Sequence, residues 1–152
     1  MTATPKAFLG RSLARFMAVQ ALYAMDVGQV SIATVKEMMA MGQFGDGDEA
    51  RELVDEDAVH FEKLVMGVTA EQKIVDEALR EMLPKNWPIN RIDATLRALL
   101  RAASFEILRM SHVPVHTVID EYVEITHDFF DGDESRFVNG VLDGFIKKRS
   151  VS

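Results

Sequence analysis

Two prolines within five residues, in Pro84-Lys85-Asn86-Trp87-Pro88-Ile89-Asn90, interrupt a chain that otherwise reads as helix along most of its length. Proline fixes φ and has no N–H to donate, so no helix crosses such a stretch intact. No segment alternates apolar and polar residues between turn signals on both sides, the pattern a half-buried strand needs. The sequence therefore predicts an all-α protein with helical halves at about 5–83 and 91–149, joined by a hinge at 84–90. A chain of 152 residues is of single-domain size.

In the first half, a helix is expected from about Pro5 or Phe8 to Val27, ended by Gly28. Apolar residues cover most of its circumference after Phe16, which predicts a helix wrapped by neighbours. Ser31 offers capping chemistry to a second helix. Gly42 to Gly47 reads as a flexible break. One long helix is expected from about Asp55 to Leu83, with Gly67 as its weak point.

In the second half, Ile92, Leu96, Leu99, Leu100, Ala103, Ile107 and Met110 form an apolar arc at the helical period. Pro114 separates this helix from one carrying Val115, Val118, Ile119, Tyr122, Val123, Thr126, Phe129 and Phe130. The last helix bears Phe137, Val138, Val141, Leu142, Phe145 and Ile146. Gly140 and Gly144, one turn apart, are expected to admit another helix closely. Two loops, at Asp46 to Arg51 and Asp131 to Arg136, share an Asp-Gly-Asp-Glu turn. Glycine suits the turn, and acids suit the helix start that follows.

The net charge of −7 argues at first against nucleic acid, but it is unevenly distributed. The first 25 residues carry Lys6, Arg11 and Arg15 and no acid, whereas residues 26–81 hold a net −9. Segregation of this kind leaves room for a local cationic surface on an anionic protein. There is no cysteine, hence no disulfide framework. No secretion signal is apparent, and no apolar run approaches the ~18 residues that span a bilayer. A cytoplasmic location is the expectation.

Catalytic chemistry finds little support. Phosphate loops, nucleophile elbows and dinucleotide fingerprints are absent. Pro114 breaks the helical spacing between His112 and His116, so no metal site and no cofactor is expected. The pair Asp120-Glu121 reads as the wet face of an amphipathic helix rather than as an acid–base couple. RNA binding is better supported. Arg11 and Arg15 lie one turn apart, as do Arg97 and Arg101, and a guanidinium can donate two hydrogen bonds to a phosphate at once. Phe129, Phe130 and Phe137 flank the turn at 131–135, where an exposed ring could carry an unstacked base. Phenylalanine at helical spacing is more often core, and surface arginines more often only solvate, so the residues alone leave the choice open.

Three ordered phrases add to this reading: Ala18-Val19-Gln20-Ala21-Leu22-Tyr23, then Val113-Pro114 with Val118-Ile119-Asp120-Glu121, then Arg136-Phe137-Val138-Asn139-Gly140-Val141-Leu142-Asp143. Together they resemble the NusB family of bacterial transcription antitermination factors. The likeness runs from about Arg11 to Asp143 and is weak between Ser31 and Leu53. It implies about seven helices in two small three-helix bundles forming one domain, and a non-enzymatic role. It implies binding of boxA-type nascent RNA together with the small-subunit ribosomal protein NusE. That complex keeps RNA polymerase from terminating early, notably on ribosomal RNA operons. By position, the resemblance implies RNA contacts at Lys6, Arg11, Arg15, Arg97, Arg101, Phe129, Asp133 and Phe137. It implies a protein-partner face at Tyr23 and the helix from Arg91 onward. Self-association into a homodimer is compatible with such a surface. Ser12 and Leu13 stand where better-known members have a dense arginine cluster, which predicts weaker stand-alone RNA affinity. Two other readings stay open: a related module of the kind attached to rRNA methyltransferases, and a helical protein-interaction protein.

Overall fold

Residues 8–40, 53 and 55–151 are described by the computed structural model, without the side chains of Met39, Arg149, Ser150 and Val151. Among them are seven α-helices: α1 (Gly10–Val27), α2 (Ile32–Ala40), α3 (Asp55–Ala70), α4 (Gln72–Met82), α5 (Ala94–Arg109), α6 (Val115–Phe129) and α7 (Glu134–Val151). A short 3-10 turn, Ile89–Arg91, precedes α5, and the described residues contain no strand. Lys6, the break at 42–47 and the first Asp-Gly-Asp-Glu turn lie outside the described residues.

Capping chemistry fixes several helix starts. The Asp93 carboxylate accepts from the N–H groups of Thr95 (2.8 Å) and Leu96 (3.3 Å), which defines the start of α5. Ser31 Oγ accepts from Thr34 N–H at 3.1 Å and starts α2. Helix α1 ends at Val27 with Gly28 as its C-cap, as expected, and the left-handed residue after it is Gln29 (φ 54).

The expected long helix over 55–83 is two helices with a kink at Glu71. Two backbone bonds flank the break, from Glu71 N–H to Gly67 O and from Val75 N–H to Glu71 O. Just before it, the Thr69 hydroxyl donates back to the Val65 carbonyl at 2.7 Å, a bond that bends helices. Gly67 is not the weak point. It lies inside α3 beneath the ring of Phe105, and a Cβ added there would sit 2.1 Å from Phe105 Cζ. The glycine is there for close approach of α3 and α5.

Helix α5 is the axis of the molecule. It packs against α1, α3, α4, α6 and α7. Its expected single apolar arc is an underestimate: every residue from Ala98 to Ile107 is buried. Ala98, Ala102 and Ser104 are small enough for helices to close on the sides the arc leaves out. Arg101 and Glu106 are the two charged residues drawn in with them.

The Pro84–Asn90 stretch turns twice, with Trp87 N–H donating to Pro84 O and Arg91 N–H to Pro88 O, both at 2.9 Å. Leu83, Ile89 and Ile92 anchor it in a hydrophobic core continuous with both sides of the interruption. Helix α7 packs on α6, α5 and α4. Gly144 meets Met82 of α4, as close approach requires, whereas a Cβ on Gly140 would meet nothing within 4 Å. Only one of the two glycines therefore answers to packing. No helix is long and apolar enough to cross a membrane among the described residues.

Candidate nucleic-acid interface

The four described arginines expected to contact RNA turn to carboxylates, and the carboxylates sit in different places. Arg11, on the first turn of α1, keeps its side chain 37% exposed while its Nε donates to Asp57 Oδ1 of α3 at 2.9 Å. Arg15, one turn later, is 3% exposed. Its Nε lies 3.0 Å from both oxygens of Glu106 on α5, and its Nη2 lies 2.6 Å from Glu106 Oε2. Its Nη1 donates to Glu121 Oε1 of α6 at 2.9 Å, an oxygen that also accepts from the hydroxyl of Ser12.

The expectation that Arg15 rests on a phosphate is corrected by this burial: its guanidinium is committed to two carboxylates inside the bundle. Glu121 departs in the same way from the wet-face reading given to Asp120-Glu121. Asp120 is exposed, while Glu121 is half-buried and bonded to α1.

Glu106 is the centre of this cluster and is fully buried. Besides Arg15 it accepts from Tyr122 Oη at 3.0 Å. His60 Nε2 of α3 lies 3.3 Å from Glu106 Oε2, without the angles of a hydrogen bond. Burial alone pushes the Glu106 carboxyl up, but the His60 and Arg15 side chains together outweigh it, and its pKa falls to about 2. Burial, and next the Glu106 charge, push the Tyr122 hydroxyl well above its usual value. For Arg15 burial opposes the charged form, yet the bond to Glu106 and the carboxylate charges leave its pKa raised.

The second arginine pair is also engaged. Arg101 is 9% exposed and forms a two-pronged bond to Asp76 of α4, Nε to Oδ1 at 2.9 Å and Nη2 to Oδ2 at 3.0 Å. Arg97 holds Asp26 at the end of α1 (2.7 Å) and donates to the Ile92 carbonyl at 2.9 Å. These two arginines fasten α5 to α1, to α4 and to the turn preceding α5. The expectation of a single cationic ledge formed by Arg11, Arg15 and Arg101 therefore does not hold. Of these three, Arg11 alone keeps substantial exposure.

The aromatic residues divide likewise. Phe129 is 36% exposed, with its ring stacked on Phe16 of α1 at 5.4 Å and 15°. Phe16 stacks in turn on Phe8 at 5.1 Å, so a three-ring column ends at the surface on Phe129. Phe130 is half-buried against the core. Phe137 is half-buried and packs on Trp87 of the interrupting loop at 5.0 Å. Asp133 is exposed, and its carbonyl accepts Phe137 N–H at the start of α7. Tyr23, exposed on α1, shares a small cleft of about 270 Å³ with Val19, Gln20, Thr95 and Phe129. Arg91 is exposed on the 3-10 turn. The fold thus brings Tyr23 and Phe129 together, and places Phe137 beside a tryptophan.

Sequence reasoning missed the carboxylates Asp26, Asp57, Asp76 and Glu106 that neutralise the arginines, and it missed Trp87. Glu106 had a detectable signal, being an acid in the middle of the most apolar arc of the chain, where a charge needs a partner. Among the described residues no three His, Asp or Glu side chains gather as a metal site would require.

The model of the NusB family matches residues 12–147. The chain is 44% identical over 141 residues to the transcription antitermination protein NusB of Agrobacterium fabrum, covering 91% of this chain and 84% of the relative. It is 43% identical over 133 residues to the protein of that name from Maricaulis maris, covering 88% of this chain and 83% of the relative. Among solved structures, T. maritima NusB superposes with a TM-score of 0.76 at 22% identity, over 96% of this chain and 93% of that one. A structure of antitermination factors NusB and NusE in complex with dsRNA gives a TM-score of 0.72 at 22% identity, over 91% and 96%. With the family model covering most of its length and relatives above 40% identity along nearly all of it, the chain belongs to the NusB family.

Proposed function

We propose that this chain is an RNA-binding transcription antitermination factor. In this reading it takes boxA-type single-stranded nascent RNA together with the ribosomal protein NusE. It joins the RNA polymerase antitermination complex in the cytoplasm and suppresses premature termination in ribosomal RNA operons. The role is one of binding, not of catalysis. The observation that carries the reading is the match to relatives named transcription antitermination protein NusB along nearly the whole chain. The fold-level likeness to NusB solved with NusE and dsRNA supports the choice of partners.

In this reading the site residues are fewer than the resemblance implies. Arg11, Phe129, Asp133 and Phe137 carry the RNA contacts, with Lys6 from the preceding segment. Tyr23 and Arg91 carry the protein partner. Arg15, Arg97 and Arg101 hold the helices that present these groups. With Arg15, Arg97 and Arg101 held by carboxylates, RNA affinity of the chain alone is low and depends on NusE, because each phosphate contact contributes separately to binding. A mobility-shift titration of boxA RNA, with and without NusE, tests this. Binding that tightens with the partner is expected, and no partner-enhanced binding would reject the reading.

A further inference from the structure

The tryptophan of the interrupting loop lies outside every role assigned above. Trp87 is 47% exposed, although tryptophan is highly buried on average. It is held from behind by Phe137 at 5.0 Å. It lines a cleft of about 520 Å³ with Arg80, Leu83, Pro84, Lys85, Pro88, Ile89 and Asn90. Arg80 and Lys85 are both exposed, and neither has a carboxylate within 4.0 Å among the described residues. They contrast with Arg15 and Arg101, which meet buried carboxylates, and with Arg97, which is bonded to Asp26 at the surface.

We propose that this cleft is a second subsite for single-stranded RNA, with Trp87 as a platform for one base and Arg80 and Lys85 as contacts to the flanking phosphates. The proposal rests on the RNA-binding reading above and extends it along the surface from Phe137. An exposed ring backed by another ring is a rigid stacking surface that any base can use. Two exposed cations beside it, without a carboxylate partner among the described residues, supply the backbone attraction that single-strand sites combine with stacking. The two prolines restrict the loop, so little ordering is needed when the base arrives. Asn86 and Asn90, exposed in the same loop, can donate to or accept from a base edge.

The chain holds a single tryptophan, which makes the site directly observable. The experiment uses the full chain with NusE and a fluorescently labelled boxA RNA carrying several extra nucleotides at each end. Label anisotropy reports binding, and tryptophan emission with acrylamide quenching reports Trp87. Trp87→Phe, which lacks tryptophan, gives the partner's emission for subtraction. Trp87 emission and its acrylamide accessibility are expected to fall in step with anisotropy. Trp87→Leu should weaken binding about tenfold. Arg80→Ala with Lys85→Ala should reduce the slope of log affinity against log salt by about 1.4, and these exposed positions leave folding undisturbed. If anisotropy saturates while Trp87 is unaffected and the Arg80→Ala, Lys85→Ala protein binds like the parent, the subsite is wrong and the RNA reading stands. If NusE alone shields Trp87 and RNA adds nothing, the surface faces the protein and the subsite is again wrong. If no RNA binds even with NusE, both fall.

Discussion

Arg15 Nε sits 3.0 Å from both carboxylate oxygens of Glu106, with the two side chains buried on different helices. Through Tyr122, Glu121 and Ser12 the same cluster joins α1, α5 and α6. Removing one partner of a buried pair leaves the other charge uncompensated, which costs ~3–5 kcal/mol. Arg15→Ala is therefore expected to lower the stability of the chain by about that much in urea unfolding. Arg11→Ala removes a half-exposed side chain and should change stability by less than about 1 kcal/mol. Its effect belongs in NusE-dependent RNA affinity instead. A stability loss at Arg11 as large as at Arg15 would contradict the division of roles.

Acid should act on the same cluster. The Glu106 carboxyl has its pKa lowered to about 2 from an ordinary 4.5. A lowered carboxylate pKa means that the unfolded chain takes up the proton first. The stabilisation is complete above about 4.5 and is lost as pH falls towards about 2. The difference corresponds to ~3 kcal/mol. Urea midpoints measured from pH 6 down to pH 3 should fall more steeply for the parent protein than for Glu106→Gln. Parallel curves would show that Glu106 contributes no linkage.

Gly67 predicts a steric outcome. An added methyl would sit 2.1 Å from Phe105 Cζ, so the ring or the helix must move. Overpacking of this kind costs ~1–3 kcal/mol, against ~1 kcal/mol that alanine returns through helix propensity. Gly67→Ala should be net destabilising in thermal unfolding, and Phe105→Leu in the same chain should recover part of the loss. A Gly67→Ala protein more stable than the parent would mean that α3 and α5 are not in close contact there.

Tyr23 and Phe129 line one small cleft on the surface. In the proposed function Tyr23→Ala should weaken NusE association about tenfold or more, as loss of an exposed aromatic anchor does at interfaces. Its unfolding midpoint should barely move, because the side chain is exposed. Calorimetric titration of NusE against the two proteins reads the difference.

The all-helical class and the interruption at Pro84 to Pro88 were legible because proline and apolar periodicity act locally. Helix α5 starts at Ala94, two or three residues beyond the expected Arg91 or Ile92, because Asp93 caps it. The kink at Glu71 was not legible, since it goes with a hydroxyl bonding back one turn, and neither proline nor glycine stands at the break. The arginines were the larger miss. One-turn spacing correctly placed Arg11 near Arg15 and Arg97 near Arg101 along their helices. It could not say which of them would find a carboxylate from a distant part of the chain. Glu106 lies 91 residues from Arg15, and Asp76 lies 25 from Arg101. Such pairings are decided by tertiary packing, so free and buried cations look alike in one dimension.

The central claim is that this chain helps RNA polymerase pass terminators by way of boxA RNA and NusE. The most direct measurement is terminator read-through in a reconstituted transcription reaction, on templates with an intact or a scrambled boxA, with NusE and this chain added separately and together. Read-through should rise only when both proteins are present and boxA is intact. Equal read-through on the two templates, or no effect of the chain beyond NusE alone, would contradict the account.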